Sequence, residues 1–403
     1  MKKRLLIMGA FEHSKHLIDA ARKSGVYTVI TDYVKDAPAK KYADKAYDVS
    51  TTDVDALEKL CRDEGIDGVC VGYCDVNLLP YYMLCKRMGY PYYCDDKQLD
   101  LTMNKCNFKS LCRRHGLTVT PDVPLDTNDF PVIVKPADSY SSKGISVCNN
   151  SDELKIAVDK ALSFSQAKQY VLEKFIDAED VYLYFTIQNG VVSLSAMADR
   201  LLNNEQYGCA PQPVGYYFPS KYIDLYFEKC DKKVKSMIAE TGLQNGSFFM
   251  QGFVVGNDIM FFEMGLRLSG GCGYIQIRNQ NGIDQTQMYV NFALTGNFGP
   301  WELEKYDNPR FKNPACVIVV LLRDGVIGKI EGLEKVRSDE SYIDMIQLRK
   351  CGDELSAKGT LNQVFARIYL SNSDKTKLEL SIKNIKNELK ILDTDDKNMI
   401  LNY

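Results

Sequence analysis

The stretch from Gly246 to Gly271 restricts the fold of this chain more than any other part of it. Two apolar runs, Phe248 to Val255 and Ile259 to Met264, flank the tripeptide Gly256-Asn257-Asp258. A glycine-containing turn between runs of β-branched and aromatic residues is typical of an antiparallel hairpin. The sequence therefore predicts two long paired strands in the second half of the chain.

Each predicted strand of this hairpin carries one polar side chain, Gln251 or Glu263. A carboxylate among aromatic residues is unfavourable unless a cation or donor meets it, and oxygen donors are the ligands that magnesium prefers. Arg267 follows four residues after Glu263, and its planar fork fits phosphate or carboxylate oxygens. The hairpin is therefore a candidate magnesium and anion site, with a simple ion pair between Glu263 and Arg267 as the alternative.

Before the hairpin, the chain alternates short apolar runs with helical segments over residues 1–95. This alternation predicts βαβ units and a parallel sheet. Gly9 follows the first strand and Asp32 ends the second, as in dinucleotide-binding domains. The turn after Gly9 lacks the other two glycines of GxGxxG, so NAD is not the expected ligand.

The middle of the chain carries a second group of candidate elements. Residues 95–116 have the pattern of one helix, and Pro131 to Pro136 predicts a buried strand that ends in Lys135 and pairs with Ile145 to Cys148. The connecting segment, 137–144, is rich in hydroxyl groups and ends in glycine. Such a loop can surround phosphate oxygens, although an ordinary surface hairpin has the same composition.

Length and charge limit the class of protein. A chain of 403 residues predicts two or three domains, and a net charge of −3 with interleaved signs gives no basic surface for nucleic acid or anionic lipid. We find neither a signal peptide nor an apolar run long enough to span a membrane, so the expected location is cytoplasmic.

The order of these separated residues along the chain resembles the pattern of the ATP-grasp superfamily of carboxylate-amine ligases. The resemblance is greatest to biotin carboxylase and to the large chain of carbamoyl-phosphate synthetase. The resemblance covers the whole chain and implies an α/β and α+β fold. It implies a Rossmann-like pre-ATP-grasp domain over 1–95, an ATP-grasp core over 96–300 with a mobile lid at about 118–178, and a small C-terminal α+β domain over 301–403.

The resemblance also implies roles for individual residues. Arg267 matches the catalytic arginine, Gln251 and Glu263 match the magnesium ligands, and Glu173 and Asp180 match groups that bind adenine and ribose. Arg200 and Arg278 are candidates for holding a substrate carboxylate. The complete set implied to bind ATP is Lys105, Lys135, Ser141, Ser142, Gly144, Glu173, Lys174, Phe175, Ile176 and Asp180.

Two positions depart from the pattern of that superfamily. The asparagine expected two residues after Glu263 is Gly265, which removes one ligand of a second magnesium ion. Gln251 is neutral where an acid is commoner, although the carbamoyl-phosphate synthetase branch is similar there.

The expected function is an ATP-dependent carboxylate-amine ligase that works through an acyl phosphate and releases ADP and phosphate. The expected metal is Mg²⁺ or Mn²⁺, and the expected substrates are small molecules, with an amino acid or a peptide-like compound favoured. A homodimer is possible. Neither nucleic acid nor a membrane is an expected partner. A bicarbonate-activating carboxylase or carbamoyl-phosphate synthetase-like enzyme is one alternative. A nucleotide-binding module without catalysis is another, suggested by Gly265.

Overall fold

A computed structural model of the chain describes residues 2–139, 142–203, 206, 208–356 and 358–401. The N-terminal part is a parallel sheet of four strands in the order β3-β2-β1-β4. Strands β1 and β4 are almost wholly apolar and buried, as expected for a sheet covered on both faces. The elements are β1 (Arg4–Met8), α1 (Lys15–Lys23), β2 (Tyr27–Thr31), β3 (Lys45–Tyr47), α2 (Val54–Glu64), β4 (Gly68–Val71) and α3 (Leu78–Met88).

The single helix predicted over 95–116 is wrong, because two helices lie there, α4 (Asp96–Met103) and α5 (Lys105–Arg114). Asn104 separates them with an extended backbone, and its side-chain oxygen accepts hydrogen bonds from the N–H groups of Cys106 and Asn107, at 3.0 and 3.3 Å. Asparagine is a favourable N-cap residue, so it starts a new helix here. The break places Lys105 in the first turn of α5.

A small three-stranded sheet, in the order β6-β5-β7, follows α5. One helix packs on it, and together they bury their own apolar cluster around Val132, Leu154 and Leu172. The predicted pairing of the strand ending at Lys135 with the segment before Cys148 is therefore present as an antiparallel pair. The elements are β5 (Val132–Pro136), β6 (Ser146–Cys148), α6 (Ser151–Phe164) and β7 (Tyr170–Lys174).

The centre of the molecule is an eight-stranded sheet in the order β12-β11-β8-β9-β10-β13-β17-β15. The predicted hairpin forms its edge as β11 and β12, which pair antiparallel. This part of the chain contributes β8 (Glu179–Gln188), β9 (Val191–Asn203), β10 (Gln212–Phe218), α7 (Ile223–Lys229), α8 (Asp231–Thr241), β11 (Gly246–Val255), β12 (Asp258–Gly265), α9 (Tyr274–Asn281) and α10 (Gln285–Thr295).

The C-terminal hundred residues supply three strands to that same sheet and form a second three-stranded sheet, in the order β16-β14-β18. They also bury a separate apolar cluster around Val320, Phe365 and Ile391. The central sheet thus crosses the predicted boundary at 300, and the domain division remains a prediction. The elements are α11 (Leu303–Tyr306), β13 (Ala315–Leu321), β14 (Gly325–Glu331), α12 (Leu333–Arg337), β15 (Tyr342–Gln347), β16 (Glu354–Leu355), β17 (Val364–Ser371), α13 (Lys375–Glu388) and β18 (Lys390–Asp393).

None of the helices in the described part of the chain combines the length and apolar character that a membrane crossing requires.

Candidate active site

A cavity of about 450 Å³ lies between the small β6-β5-β7 sheet and the β11–β12 hairpin. The cavity is lined both by residues predicted from the sequence and by residues that the sequence analysis did not predict. The predicted ones are Lys105, Lys135, Ser142, Glu173, Lys174, Phe175, Ile176, Asp180, Arg200, Gln251 and Glu263, and the missed ones include Thr120, Leu202, Pro211, Phe253 and Phe262.

The hairpin places the two predicted metal ligands beside each other. Gln251 and Glu263 are cross-strand neighbours, and the Gln251 amide nitrogen donates to a Glu263 carboxylate oxygen at 3.3 Å. The Lys105 ammonium, at the start of α5, lies 4.0 Å from the other Glu263 oxygen and donates to the backbone carbonyl of Ser139 at 2.8 Å. A buried lysine and a carboxylate therefore lie beside each other in the cavity lining.

Glu173 is the centre of a buried ionic network on the opposite wall. The ammonium groups of Lys135 and Lys109 donate to its two oxygens at 2.7 and 2.5 Å, and the Thr120 hydroxyl donates to it as well. Burial would raise the pKa of Glu173, but the two lysine charges outweigh it and lower the pKa to about 2. The carboxylate is thus engaged with lysines, which does not favour its predicted use in binding adenine.

Arg200 lies inside the cavity, between two predicted ligand groups. Its Nε atom is 3.0 Å from a carboxylate oxygen of Asp180, and its Nη1 donates to the side-chain oxygen of Gln251. Burial raises the pKa of Asp180 to about 6, although the Arg200 charge opposes this. Arg200 therefore contacts one group predicted to bind ribose and one predicted to bind the metal, and its predicted role in holding a substrate carboxylate stays a prediction.

Arg267 lies next to the cavity and not in its lining. It makes a bidentate ion pair with Asp75, with its Nε 2.7 Å and its Nη2 2.5 Å from the two carboxylate oxygens. Its guanidinium carbon also lies 5.2 Å from the ring centre of Phe249. The partner of Arg267 is therefore Asp75, which follows β4, and the suggested ion pair with Glu263 is not found among the described residues.

The loop after β5 is described only in part, because Ser141 lies outside the described residues. Ser142 lines the cavity with a backbone φ of +60°. Gly144 has φ of +77°, and a Cβ atom there would lie 2.7 Å from the Pro136 side chain and 2.8 Å from that of Phe164. Only glycine fits this closely packed end of the loop.

Arg278 lies away from the cavity. It lines a separate groove with His16 and Asp344, and its nearest acid is Asp284 at 3.8 Å. The structure therefore does not bring Arg278 together with the other predicted site residues.

The donors at the hairpin fit one magnesium ion better than two. Glu263 supplies a carboxylate and Gln251 an amide oxygen, both hard ligands suited to Mg²⁺. Across the described ranges, no three His, Cys, Asp or Glu side chains lie close enough together to hold a metal. A further ligand at Gly265 is also blocked, since a Cβ atom there would lie 2.2 Å from Cζ of Phe249.

Three polar residues that interact around the His13 ring were not predicted as site residues. His13 follows β1, Tyr73 follows β4, and Arg367 lies on β17. All three are buried, and neither Nδ1 of His13 nor the hydroxyl of Tyr73 has a hydrogen-bond partner among the described residues. Residues 13, 73 and 367 are widely separated in the sequence, so no local motif could have grouped them.

Part of the chain matches a known protein family, and most of it is similar in sequence to a known enzyme. Residues 102–210 match the family model "D-ala D-ala ligase C-terminus". A formate-dependent phosphoribosylglycinamide formyltransferase of Prochlorococcus marinus (strain NATL1A) is 25% identical over an alignment of 309 residues that covers 72% of this chain and 76% of that protein.

Solved structures extend the likeness to the whole chain. The L-amino acid ligase of Bacillus licheniformis superposes with a TM-score of 0.79 at 18% identity, over 98% of this chain and 99% of that one. The matched segment and the fold of the whole chain are therefore similar to those of ATP-grasp enzymes. Another ATP-grasp neighbour is the biotin carboxylase domain of Hydrogenobacter thermophilus 2-oxoglutarate carboxylase, a dimer solved with MgADP and bicarbonate. Its TM-score is 0.76 at 16% identity, over 100% of this chain and 92% of that one.

These comparisons confirm the superfamily that the sequence resembled, and with it the mixed α/β fold class. They also confirm, at the level of the ATP-grasp superfamily, the expectation of an ATP-dependent ligase.

Proposed function

We propose that this chain is a carboxylate-amine ligase that binds ATP in the cavity and activates a carboxylate as an acyl phosphate. The observation that carries this proposal is that Lys105 and Lys135 line the same cavity as the Gln251–Glu263 pair. Positive side chains facing a hard-ligand pair suit a triphosphate with its metal ion.

The backbone at the end of β7 supports a site for adenine. The N–H groups of Lys174 and Phe175 already donate to the carbonyls of Pro121 and Pro131, at 3.1 and 3.2 Å. The N–H of Ile176 has no partner within the described part of the chain. We therefore assign Ile176 as the donor to an adenine ring nitrogen, and Asp180 as the acceptor for the ribose hydroxyls.

The phosphates would lie toward Lys105, Lys135 and the loop at Ser142–Gly144. Mg²⁺ or Mn²⁺ held by Gln251 and Glu263 would neutralise phosphate charge. An oxygen of the substrate carboxylate attacks the γ-phosphorus, and the bond to the β,γ-bridging oxygen breaks. The lysines then stabilise the ADP that leaves.

In the second half of the reaction, an amine attacks the acyl carbon of the acyl phosphate. Inorganic phosphate leaves with the electron pair of the C–O bond, and the amine loses a proton to form the amide. Arg267, held by Asp75 at the border of the cavity, is placed to stabilise the transferred phosphoryl group and then the tetrahedral intermediate.

The substrate carboxylate would enter from the N-terminal sheet. The chain leaves β1 for β2 on one side and returns to β4 on the other, and ligands of open α/β sheets bind at such a switch point. His13 and Tyr73 lie there with ring centres 4.3 Å apart, and together with burial the charge of Arg367 lowers the pKa of His13. Arg367 is 7% exposed, and none of the described acids forms an ion pair with it, so it can receive an anionic substrate group.

The test is ATP turnover with panels of amino acids, dipeptides, bicarbonate and formate, using substrate carboxylate labelled with ¹⁸O. An acyl phosphate requires that one labelled oxygen appear in the released phosphate. Glu263→Gln serves as the inactive control. Transfer of the label without formation of an amide would contradict the proposal, and so would the absence of label transfer with every carboxylate.

A nucleotide-binding module without catalysis is the second candidate. The filled space beside Gly265 favours it, because the missing metal ligand cannot be replaced by a small shift of neighbouring groups. Tight ATP binding with no turnover on any panel would support this candidate.

A further inference from the structure

Arg200 occupies a position in the cavity that suggests a direct role toward the nucleotide. Its side chain is 10% exposed, and it touches both the acid assigned to ribose and the amide assigned to the metal. A guanidinium with rigid, divergent N–H groups can keep such contacts and still donate to a phosphate oxygen.

The hairpin, by contrast, lacks a side-chain ligand at position 265 for a second metal ion. Gly265 offers no ligand, and the ring of Phe249 fills the space where a side chain would begin, 2.2 Å from an added Cβ. The Gln251 oxygen already accepts a hydrogen bond from Arg200. Among the cavity-lining residues on strands β11 and β12, Glu263 is the only one with a carboxylate.

Phe249 is fixed in that position by its neighbours. It stacks on Tyr182 with ring centres 5.1 Å apart, and the guanidinium carbon of Arg267 lies 5.2 Å from its ring centre. Arg200 lies 5.8 Å from the Tyr182 ring. The same stack of rings therefore supports both arginines, and moving Phe249 aside to admit a metal ligand would disturb both.

We propose that this chain binds ATP with a single divalent cation, and that Arg200 supplies the fixed positive charge that a second ion would otherwise provide. This inference rests on the proposed nucleotide binding in the cavity. The alternative is that Arg200 only neutralises Asp180. In that case its loss would weaken folding without changing the affinity for the phosphates.

The test is a Mn²⁺ titration of the whole chain with saturating AMP-PNP, with bound ions counted by electron paramagnetic resonance. The wild-type complex should hold one Mn²⁺ per chain. Two ions of similar affinity would overturn the inference. Failure of the wild-type chain to bind AMP-PNP would instead overturn the proposed function, so the two failures are distinguishable.

Variants then test Arg200 itself. Arg200→Met should weaken AMP-PNP binding about 10- to 100-fold, the usual effect of losing a charge-assisted hydrogen bond, and weaken AMP binding much less. Arg200→Lys, which keeps the charge, should recover part of that loss. Arg62→Met, on the exposed face of α2, is the matched control for loss of an arginine.

The outcome for each variant is decisive. Equal losses of AMP and AMP-PNP affinity in Arg200→Met would mean that the arginine acts only through Asp180, which overturns its assignment to the phosphates. If thermal melting shows that Arg200→Met does not fold, the comparison of AMP with AMP-PNP in Arg200→Lys decides the question in the same way.

Discussion

Replacing Glu173 with glutamine distinguishes two possible roles of this residue. One is a hydrogen bond to adenine, and the other is neutralisation of two buried lysine charges. The side chains of Glu173 and Lys109 are each 2% exposed, and that of Lys135 is 8% exposed. Glutamine removes the negative charge, so the buried ammonium groups of Lys135 and Lys109 both lose their ion pair with residue 173. We therefore expect Glu173→Gln to destabilise the folded chain strongly.

The size of the effect follows from the lysine charges. Lowering the Glu173 pKa from 4.5 to about 2 corresponds to about 3 kcal/mol of folding free energy. This contribution is complete above pH 4.5 and is lost as the pH falls toward about 2. Breaking one partner of a buried ion pair costs about 3–5 kcal/mol, which agrees in magnitude.

The assay is urea unfolding at pH 7 of the wild type, Glu173→Gln, Lys135→Met and the double variant. The double variant should be more stable than Glu173→Gln alone, because it no longer buries an unpaired ammonium. Asp122→Asn is the control, since Asp122 is 51% exposed and also contacts Lys109, so it should cost less than about 1 kcal/mol. A Glu173→Gln variant that unfolds like the wild type but binds ATP weakly would refute the reasoning.

Four further outcomes are expected. Gly265→Asn should melt at a lower temperature and gain no turnover, because its Cβ would lie 2.2 Å from the Phe249 ring; a rise in turnover would contradict this. Arg267→Lys should lower kcat about 100-fold by removing the bidentate fork, with the ATP Kd unchanged in calorimetry, since Arg267 does not line the cavity. ATP affinity should rise as the pH increases through about 6, where Asp180 ionises, and Asp180→Asn should flatten that profile. Arg367→Met should raise the KM of the carboxylate substrate while kcat changes little, and an unchanged KM would remove Arg367 from the substrate site.

The sequence was informative where a local pattern carries the structure. The Gly256-Asn257-Asp258 turn and its flanking runs predicted a hairpin that pairs Gln251 with Glu263, and the strand ending at Lys135 lies where its apolar run indicated. These elements depend on side-chain period and turn chemistry, which neighbouring residues determine.

Contacts between distant residues could not be predicted in this way. Lys109 and Glu173 are 64 residues apart, and Arg267 and Asp75 are 192 apart. Nothing near Gly265 in the sequence indicates that the ring of Phe249 fills the space beside it. Such pairings are determined by the tertiary fold, so the sequence could name Glu173 and Arg267 but not their partners.

The path of β17 has a consequence for engineering. This strand lies between β13 and β15 within the eight-stranded sheet, so residues beyond 301 complete the hydrogen bonding of the same layer that holds the hairpin. A chimaera that exchanges the last hundred residues for those of a relative would have to match strand register along β10 as well. We therefore expect that replacing the C-terminal hundred residues will more often give an insoluble protein than a folded protein with changed substrate specificity.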